Sequence, residues 1–419
     1  MNPLKKIEPF SLGMGDRFAR QGKAQLQAVV KGREASINVT PVWNKSNREH
    51  TLIGTEPASV LDEAKAAVAA LGWSGGFHVD ADHINLTNVD RFIAPSDFFT
   101  VDVADYSGKP ASTEDVEAFV ASQRRYLGEL AIPGLSSPLV IDEALLRATA
   151  GKFLWAMQEA GRIYRHIADR KGADAFITEV SVDETDSPQT PAELLLNLAM
   201  IAHEKIPAQT IAPKFTGRFN KGVDYVGNLV QFEKEFDEDL SVLAFAVHEF
   251  GLPDTLKLSV HSGSDKFSLY PIIKRLIKKH DAGLHVKTAG TTWLEEVIGL
   301  AEAGGQGLAV AKDIYVRASG YFDELVGPYA TVLDVDKNRL PSTQEVTNWT
   351  SEQYVTALRH DLSCPSYNPH FRQFIHVSFK IAAKLGPVYL DALAENEAII
   401  SRNVTHNLYS RHLLPIFGS

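Results

Sequence analysis

TLKLSVHSGSDKFSLYPIIKRLIKKHDAGLHVKTA, residues 255–289, contains two strand-like apolar runs, Thr255–His261 and Leu284–Ala289, with a helical segment between them. This order is typical of a parallel sheet, because parallel strands are joined by a crossover that is usually a helix. Ionisable residues accompany both runs: His261 ends the first, and His285 and Lys287 lie in the second. The stretch therefore predicts a β/α unit that carries polar side chains on its strands.

The same alternation recurs along the chain. Further strand-like runs are Phe77–Asn85, Ala175–Ser181 and Thr210–Thr216. Helix starts are predicted by capping boxes at Thr190, Thr292 and Thr350, and residues 229–250 carry apolar residues at helical spacing. No Gly-x-Gly-x-x-Gly motif follows a first strand, so a closed (β/α)₈ barrel is favoured over an open doubly wound sheet. In such a barrel the C-terminal strand ends form the active-site face.

The length requires additions to the barrel. The chain has 419 residues, whereas a barrel of this type takes about 250. We expect a single barrel domain with an N-terminal extension over residues 1–40, an insertion over residues 86–113 after the strand that contains Asp82 and His83, and a helical C-terminal tail over residues 341–419.

Composition excludes several classes of protein. Hydrophobic residues make up 44% and charged residues 22%, as in ordinary globular proteins, and the net charge of −10 argues against a nucleic-acid partner. No apolar run approaches the roughly 18 residues of a membrane span, and no secretory signal follows the start. The single cysteine, Cys364, excludes an internal disulfide and a Cys-rich zinc site. We expect a cytoplasmic protein with no membrane partner, and a homo-oligomer is possible.

The densest group of ionisable residues is HVDADH, from His78 to His83. Alternation places His78, Asp80 and Asp82 on one face of a strand and His83 on the other, unless a turn intervenes. A strand that ends near Asp82 would let Asp82 and His83 both reach a pocket, as a proton acceptor beside a metal ligand. A hydrogen-bonded strand end with surface charges is the alternative.

Two other strands deliver candidates. His261 leads into a turn with Ser262 and Ser264, whose backbone N–H groups are able to form an anion-binding nest, or are simply a capped loop. Lys287 shares a face with His285, and its charge needs an anionic partner, either substrate or a structural carboxylate. Glu179 lies in mid-strand, where a buried carboxyl suits acid/base work if it lacks a partner.

A basic loop is the last candidate. Lys214, Arg218 and Lys221 lie close together with two glycines, which suits a clamp for a carboxylate or phosphate group. A solvated loop is the alternative reading.

Five segments resemble the tagaturonate/fructuronate epimerase family of hexuronate catabolism. They are FHVDADHINLTNVDRF (77–92), KFTGRFNKGVDY (214–225), KLSVHSGSDKFSLYP (257–271), HVKTAGTTWLEE (285–296) and RNVTHNLYSRHLLPIFG (402–418). The resemblance implies a metal-dependent (β/α)₈ enzyme that interconverts two keto-uronates. It implies Asp82 as proton acceptor, Glu179 as acid/base partner, and His83, His261 and His285 as ligands of a divalent cation (Zn, Mn, Ni or Co).

The site is also similar to that of metal-dependent aldolases, although Asp265 and Lys266 depart from the aldolase turn after the histidine. An aldolase-like lyase, another keto-sugar epimerase and a non-catalytic sugar-acid binding protein are the alternatives. The two uronates differ at a carbinol carbon β to the ketone, so we expect retro-aldol cleavage and re-addition. Lys214, Arg218, Lys221 or Lys287 would hold the carboxylate fragment.

Overall fold

The computed structural model describes residues 4–288 and 290–418. Its centre is a closed barrel of eight parallel strands. These strands are β1 (Phe10–Gly15), β2 (Thr40–Ser46), β3 (His78–Ile84), β4 (Phe98–Asp102), β7 (Ile177–Ser181), β8 (Ala208–Ala212), β9 (Lys257–Val260) and β10 (Leu284–Thr288), and β10 pairs with β1 to close the ring. A two-stranded antiparallel hairpin, β5 (Gly128–Leu130) and β6 (Leu139–Ile141), stands apart. The predicted (β/α)₈ architecture is confirmed.

Helices surround the barrel and continue to the C-terminus. They are α1 (Gly22–Glu34), α2 (Asn47–Ile53), α3 (Ala58–Leu71), α4 (Thr113–Gln123), α5 (Glu143–Lys171), α6 (Pro191–His203), α7 (Leu229–Phe250), α8 (Tyr270–His280), α9 (Thr291–Ala303), α10 (Gly305–Ser319), α11 (Phe322–Val326), α12 (Thr343–Asn348), α13 (Ser351–Leu358), α14 (Pro369–Val377), α15 (Phe379–Leu385), α16 (Pro387–Glu395), α17 (Glu397–His406) and α18 (Leu414–Phe417). A π-helical turn, Asn407–Leu413, joins α17 to α18.

Two of the expected additions are corrected. Residues 1–40 are not an extension, because Phe10–Gly15 is the first barrel strand and Gly22–Glu34 is its helix. Residues 86–113 are not an insertion, because they contain the barrel strand Phe98–Asp102. The long excursion instead lies between β4 and β7 and holds α4, the hairpin and α5. The expected C-terminal helices are present after residue 341.

Local sequence explains most element ends. The Thr190 side chain and Glu193 form the predicted capping box of α6, and Thr350 caps α13 in the same way. The box predicted at Thr292 is wrong, since α9 begins one residue earlier, after Gly290. Gly290 has φ +88°, a left-handed conformation that glycine adopts at low cost.

Apolar side chains from the barrel's outer face and the helices form one large core. A smaller cluster, Ile7, Val42, Phe98 and Ile177, fills the barrel interior. No helix in the described ranges is long and apolar enough to cross a membrane. In a barrel of this type the active-site face is formed by the C-terminal strand ends, which lie on the side away from this cluster.

Candidate active site

The C-terminal ends of the barrel strands surround a cleft of about 340 Å³. Side chains from the loops after most of the barrel strands line it. They are Arg17, Ser46, Arg48, Glu49, Asp82, His83, Asp102, Asp105, Asp183, Glu184, Lys221, His261, Ser262, Lys287 and Tyr329. This is the face on which the sequence placed the polar strand ends.

A bulge at the end of β3 brings Asp82 and His83 into the cleft together. The register of β3 against β4 shifts between Ala81 and Ile84, and His83 has φ +54°. Such a bulge interrupts the alternation of side chains and redirects one of them. Nδ1 of His83 lies 2.9 Å from Oδ1 of Asp82. The intervening turn that the sequence left open is therefore present.

His83 and His261 meet at Asp183. Their ring centroids are 5.2 Å apart. Oδ1 of Asp183 lies 3.2 Å from Nδ1 of His261 and 3.8 Å from Nε2 of His83. One ligand atom from each of the three residues fits within 4.8 Å of the other two. The loops after β3, β7 and β9 thus converge on one point.

The free atoms of this group fit a cation. Nε2 of His83 and Nδ1 of His261 are buried and have no hydrogen-bond partner in the described chain. Each ring's other nitrogen contacts a carboxylate: Asp82 for His83, and Glu179, at 2.7 Å, for His261. Histidines that bind metals commonly use one nitrogen for the ion while a carboxylate orients the other. Imidazole with one carboxylate suits Zn, Mn, Ni or Co.

His285 does not join this group. Its Nδ1 lies 2.8 Å from the hydroxyl of Ser11, and its ring lies 5.3 Å from that of Phe98. The residue shares a face with Lys287, as predicted, but it precedes Lys287 by two residues. At about 3.3 Å per residue this places it deeper in the barrel. Asp183 stands where the sequence analysis expected His285.

Lys287 is the centre of a buried charge network. Its Nζ lies 2.7 Å from Asp80, 2.8 Å from Asp82 and 3.0 Å from Glu179, and it also donates to Thr100. Lys287 is 3% exposed. The anionic partners of Lys287 are therefore structural carboxyl groups, and its ammonium already contacts three of them in the absence of substrate.

Room for this lysine comes from the neighbouring strand. Gly13 on β1 is the register partner of Lys287, and a Cβ at Gly13 would lie 3.0 Å from Cγ of Lys287. A side chain at position 13 would crowd the lysine stem. The small residue on β1 thus lets a long side chain cross the barrel interior.

The three carboxyls respond differently to this network. Burial, together with repulsion from the negative charges of Asp82 and Glu179, raises the pKa of Asp80 to about 7. The attraction of Lys287 opposes this rise but does not cancel it. Burial also opposes ionisation of Asp82 and Glu179. For these two, however, Lys287 together with His83 or His261 holds the pKa below its usual range. Asp82 and Glu179 are ionised at neutral pH, whereas Asp80 titrates near neutrality and is the first of the three to take up a proton as the pH falls.

Glu179 lies below the cleft rather than in it. The residue is 0% exposed, and both of its oxygens are engaged: Oε1 by Thr100, Lys287 and His261, and Oε2 by Thr210 at 2.7 Å. Its carboxylate therefore contacts the cleft only through other side chains.

The two serines after β9 separate. Ser262, at φ +49°, lines the cleft, whereas the hydroxyl of Ser264 is buried 3.4 Å from Nε2 of His412. The N–H of Asp265 also donates to His412, at 3.2 Å. His412 of the C-terminal π-helical turn therefore contacts the turn after β9 that was predicted as a possible anion nest.

The three cations of the basic loop also separate. Lys221 lines the cleft, while Lys214 and Arg218 line an adjoining cavity of about 360 Å³. Lys214 donates to the carbonyl of Thr185, and Arg218 reaches Asp334 at 3.3 Å. Asp183 and His261 border both cavities, and of the three loop cations Lys221 is the one that also lines the cleft with Asp82 and His83.

Sequence reasoning missed several cleft residues. Asp183 lies four residues after Glu179, so the alternation of side chains along a strand places both on the same face. This pattern was able to indicate Asp183 from the sequence. No sequence signal indicated Arg17, Arg48 and Tyr329, because they lie outside the quoted motifs: Arg17 in the loop after β1, Arg48 in α2 and Tyr329 in a 3-10 turn after α11. The Arg48 guanidinium lies 5.1 Å from the centre of the Tyr329 ring and borders both cavities.

Comparisons with known proteins identify the family of the chain. Residues 1–386 match the family model described as tagaturonate epimerase. The tagaturonate/fructuronate epimerase of Thermotoga maritima is 28% identical over 429 aligned residues, which cover 99% of this chain and 82% of that protein.

Solved structures share the fold. The native crystal structure of the fructuronate-tagaturonate epimerase from Cohnella laeviribosi has a TM-score of 0.80 at 22% identity, with 99% of this chain and 83% of that chain covered. Its complex with one glycerol has a TM-score of 0.81 at 23% identity, with 99% and 82% covered. The family model spans most of the sequence, and the chain therefore belongs to the tagaturonate epimerase family, whose members are isomerases.

Proposed function

We propose that the chain interconverts D-tagaturonate and D-fructuronate with a divalent cation held by His83, Asp183 and His261. The observation that carries the proposal is the pair of buried imidazole nitrogens that make no hydrogen bond and face the Asp183 carboxylate, at 3.2 Å from His261 and 3.8 Å from His83. They lie in the cleft beside Asp82, in a chain of the tagaturonate epimerase family. The names of the relatives supply the substrates.

The reaction limits the choice of route. The two sugars differ at one carbinol carbon β to the ketone, where the C–H is not acidified by the carbonyl. Removal of that hydrogen as a hydride requires a nicotinamide, and the sequence holds no dinucleotide-binding motif. Cleavage of the bond between the carbinol carbon and its α-neighbour needs only a base and stabilisation of negative charge. We therefore favour retro-aldol cleavage and re-addition.

Asp82 is the base in this proposal. Its Oδ1 is held by Lys287 and His83, and no hydrogen bond from the described residues reaches its Oδ2. Because the carboxylate is ionised, it accepts the proton of the carbinol hydroxyl as the carbon–carbon bond breaks. The electrons of that bond pass to the enediolate, and the carbinol carbon becomes an aldehyde. After the aldehyde turns over, the bond re-forms on its other face and Asp82 returns the proton.

The other groups support this step. When bound, the cation supplies Lewis-acid stabilisation of negative charge on the substrate, worth several kcal/mol. Glu179 orients the ring of His261 and pairs with Lys287, which also pairs with Asp82. The contacts around Glu179 leave it no oxygen free for substrate, so it acts as a positioning group.

The cationic side of the cleft recognises the carboxylate. Lys221 holds it in this proposal, with Lys214 and Arg218 in the adjoining cavity. Lys287 is not assigned to this task, because it already pairs with three carboxylates. Retention of the aldehyde fragment through its carboxylate keeps the two halves together between cleavage and re-addition.

Product analysis tests the proposal. D-tagaturonate incubated with the enzyme and Zn, Mn, Ni or Co is followed by carbon NMR. The proposal expects D-fructuronate and no free three-carbon products. Accumulation of two fragments would establish a lyase, and unchanged D-tagaturonate with every metal would refute the proposed activity; calorimetry with the same sugar would then test for a binding protein.

A further inference from the structure

The loop between β8 and α7 presents Lys221 to the cleft. Its side chain makes no hydrogen bond or ion pair with the described residues, although it borders both cavities. Burial and the nearby Arg48 and Arg17 lower the pKa of Lys221, against the attraction of Glu184 and Asp183. An ammonium in this position is a ready partner for an anionic ligand.

The backbone around Lys221 is held from one side by Lys266. This residue is 1% exposed, and its Nζ donates to the carbonyls of Asn220 at 2.8 Å, Val223 at 2.7 Å and Ser264 at 3.0 Å. Ser264 follows the candidate ligand His261 by three residues. One buried ammonium thus joins the loop of Lys221 to the loop of His261.

Arg372 of α14 holds the same loop from the other side. It is 0% exposed; its Nε donates to the carbonyl of Gly222 at 2.5 Å, and its Nη2 pairs with Asp265. The N–H of Lys221 itself donates to Val332 at 2.9 Å. Every residue from 220 to 223 therefore has a backbone group fixed by a partner outside the loop, while the Lys221 side chain stays free.

We propose that Lys266 and Arg372 are positioning residues that fix the Lys221 ammonium relative to His261, so that the substrate carboxylate finds its cation already in place. The inference rests on the proposed function. A cation on an unsupported loop has to be ordered each time substrate binds, and that cost weakens binding. A loop that is held in place before substrate binds avoids this cost. The benefit should therefore appear as a lower KM and not as a higher kcat.

The contacts fit this task better than simple filling of the core. A buried lysine is costly, and burial lowers the pKa of Lys266 to about 8 even though Asp265 and Asp224 attract its charge. All three of its hydrogen bonds go to main-chain carbonyls of two loops that border the cleft. An apolar side chain would fill the same space but would leave these carbonyls without a donor.

The test uses Lys266→Met in the metal-loaded enzyme with D-tagaturonate. We expect KM to rise about tenfold and kcat to stay within about threefold, since truncating hydrogen bonds to an anchoring loop costs roughly one decade in binding. Lys221→Met should raise KM as well, and Lys221→Met/Lys266→Met should add nothing further, because both changes act through one contact. Lys278→Met is the control: it removes an exposed lysine of α8, the helix that follows the loop of Lys266, and it should leave both constants unchanged.

Two results would overturn the inference: a fall in kcat at constant KM in Lys266→Met, or KM increases that multiply in the double variant. If Lys266→Met does not fold, Lys266→Gln keeps a shorter donor and should give an intermediate KM. The neutral ketose D-tagatose, used as a competitive inhibitor, should bind wild type and variant within twofold, since it has no carboxylate. A tenfold loss for this sugar too would also contradict the inference.

Failure of the proposed function gives a different pattern. A wild-type enzyme that does not convert D-tagaturonate refutes the function. The order of the loop is then measured by amide hydrogen exchange over residues 219–225. Faster exchange in Lys266→Met than in wild type supports the positioning role, and equal exchange refutes it.

Discussion

Replacement of Lys287 by methionine removes the only cation that contacts Asp80, Asp82 and Glu179 together among the described residues. The three carboxylates are 0–7% exposed, so water does not take the place of the ammonium. Loss of one partner from a buried ion pair costs about 3–5 kcal/mol, because the remaining charge is left unpaired. Against a total stability of about 5–15 kcal/mol, the variant should be severely destabilised.

The loss should depend on pH in a defined direction. Lys287 holds the folded-state pKa of Asp82 and Glu179 below the unfolded values of about 3.9 and 4.3. Groups with depressed pKa values stabilise the fold above their unfolded pKa and lose this effect as pH falls. The deficit of Lys287→Met should therefore be complete at pH 7.5 and should shrink below about pH 4.

Urea unfolding followed by circular dichroism measures this difference. Lys279→Met is the matched control: Lys279 pairs with Asp237 at a similar 2.7 Å, but its side chain is 52% exposed, so its loss should cost under about 1 kcal/mol. Asp80→Asn/Lys287→Met should recover part of the loss by removing one unpaired charge. If Lys287→Met cost no more than Lys279→Met at pH 7.5, the assignment of Lys287 as the centre of the network would be refuted.

Four further variants have definite outcomes. Asp82→Asn should abolish turnover in a kinetic assay yet leave metal bound, since its side chain still reaches His83; near-normal activity would exclude it as the base. His83→Ala should lose metal as measured by mass spectrometry, whereas His285→Ala should keep it, and the reverse order would restore the original ligand prediction. Asp97→Asn should lower the free energy of unfolding by about 2 kcal/mol at pH 7, because the hydrogen bond with His78 outweighs burial and lowers the pKa of Asp97 to about 2. Measured by urea unfolding, this loss should fade between about pH 4 and pH 2. A loss that does not depend on pH would contradict the prediction.

The sequence predicted the barrel from its later strands, where apolar runs and capped helices alternate clearly. In the first half it predicted β3 from the run Phe77–Asn85 but missed β1, β2 and β4, for physical reasons. Strand β1 contains two glycines, β2 contains a proline and four polar residues, and β4 follows β3 after a loop with no α-helix. Each pairs with neighbours on both sides, so tertiary pairing rather than local preference fixes these segments.

The site shows the same division. Alternation located His261 and Lys287 correctly and was able to indicate Asp183, but the depth of a residue along its strand decides what it meets. His285 is on the predicted face yet lies two residues too deep, beside Ser11. The bulge that turns His83 inward depends on pairing between β3 and β4, which no local pattern in the HVDADH segment specifies.

The most direct test of the central claim is the turnover of D-tagaturonate by the enzyme before and after its metal is removed. With a chelator, conversion to D-fructuronate should cease, and about one equivalent of a single divalent ion per chain should restore it. Full conversion by protein that contains less than about a tenth of an equivalent of any divalent metal would contradict the account, because His83, Asp183 and His261 would then have no ion to hold during catalysis.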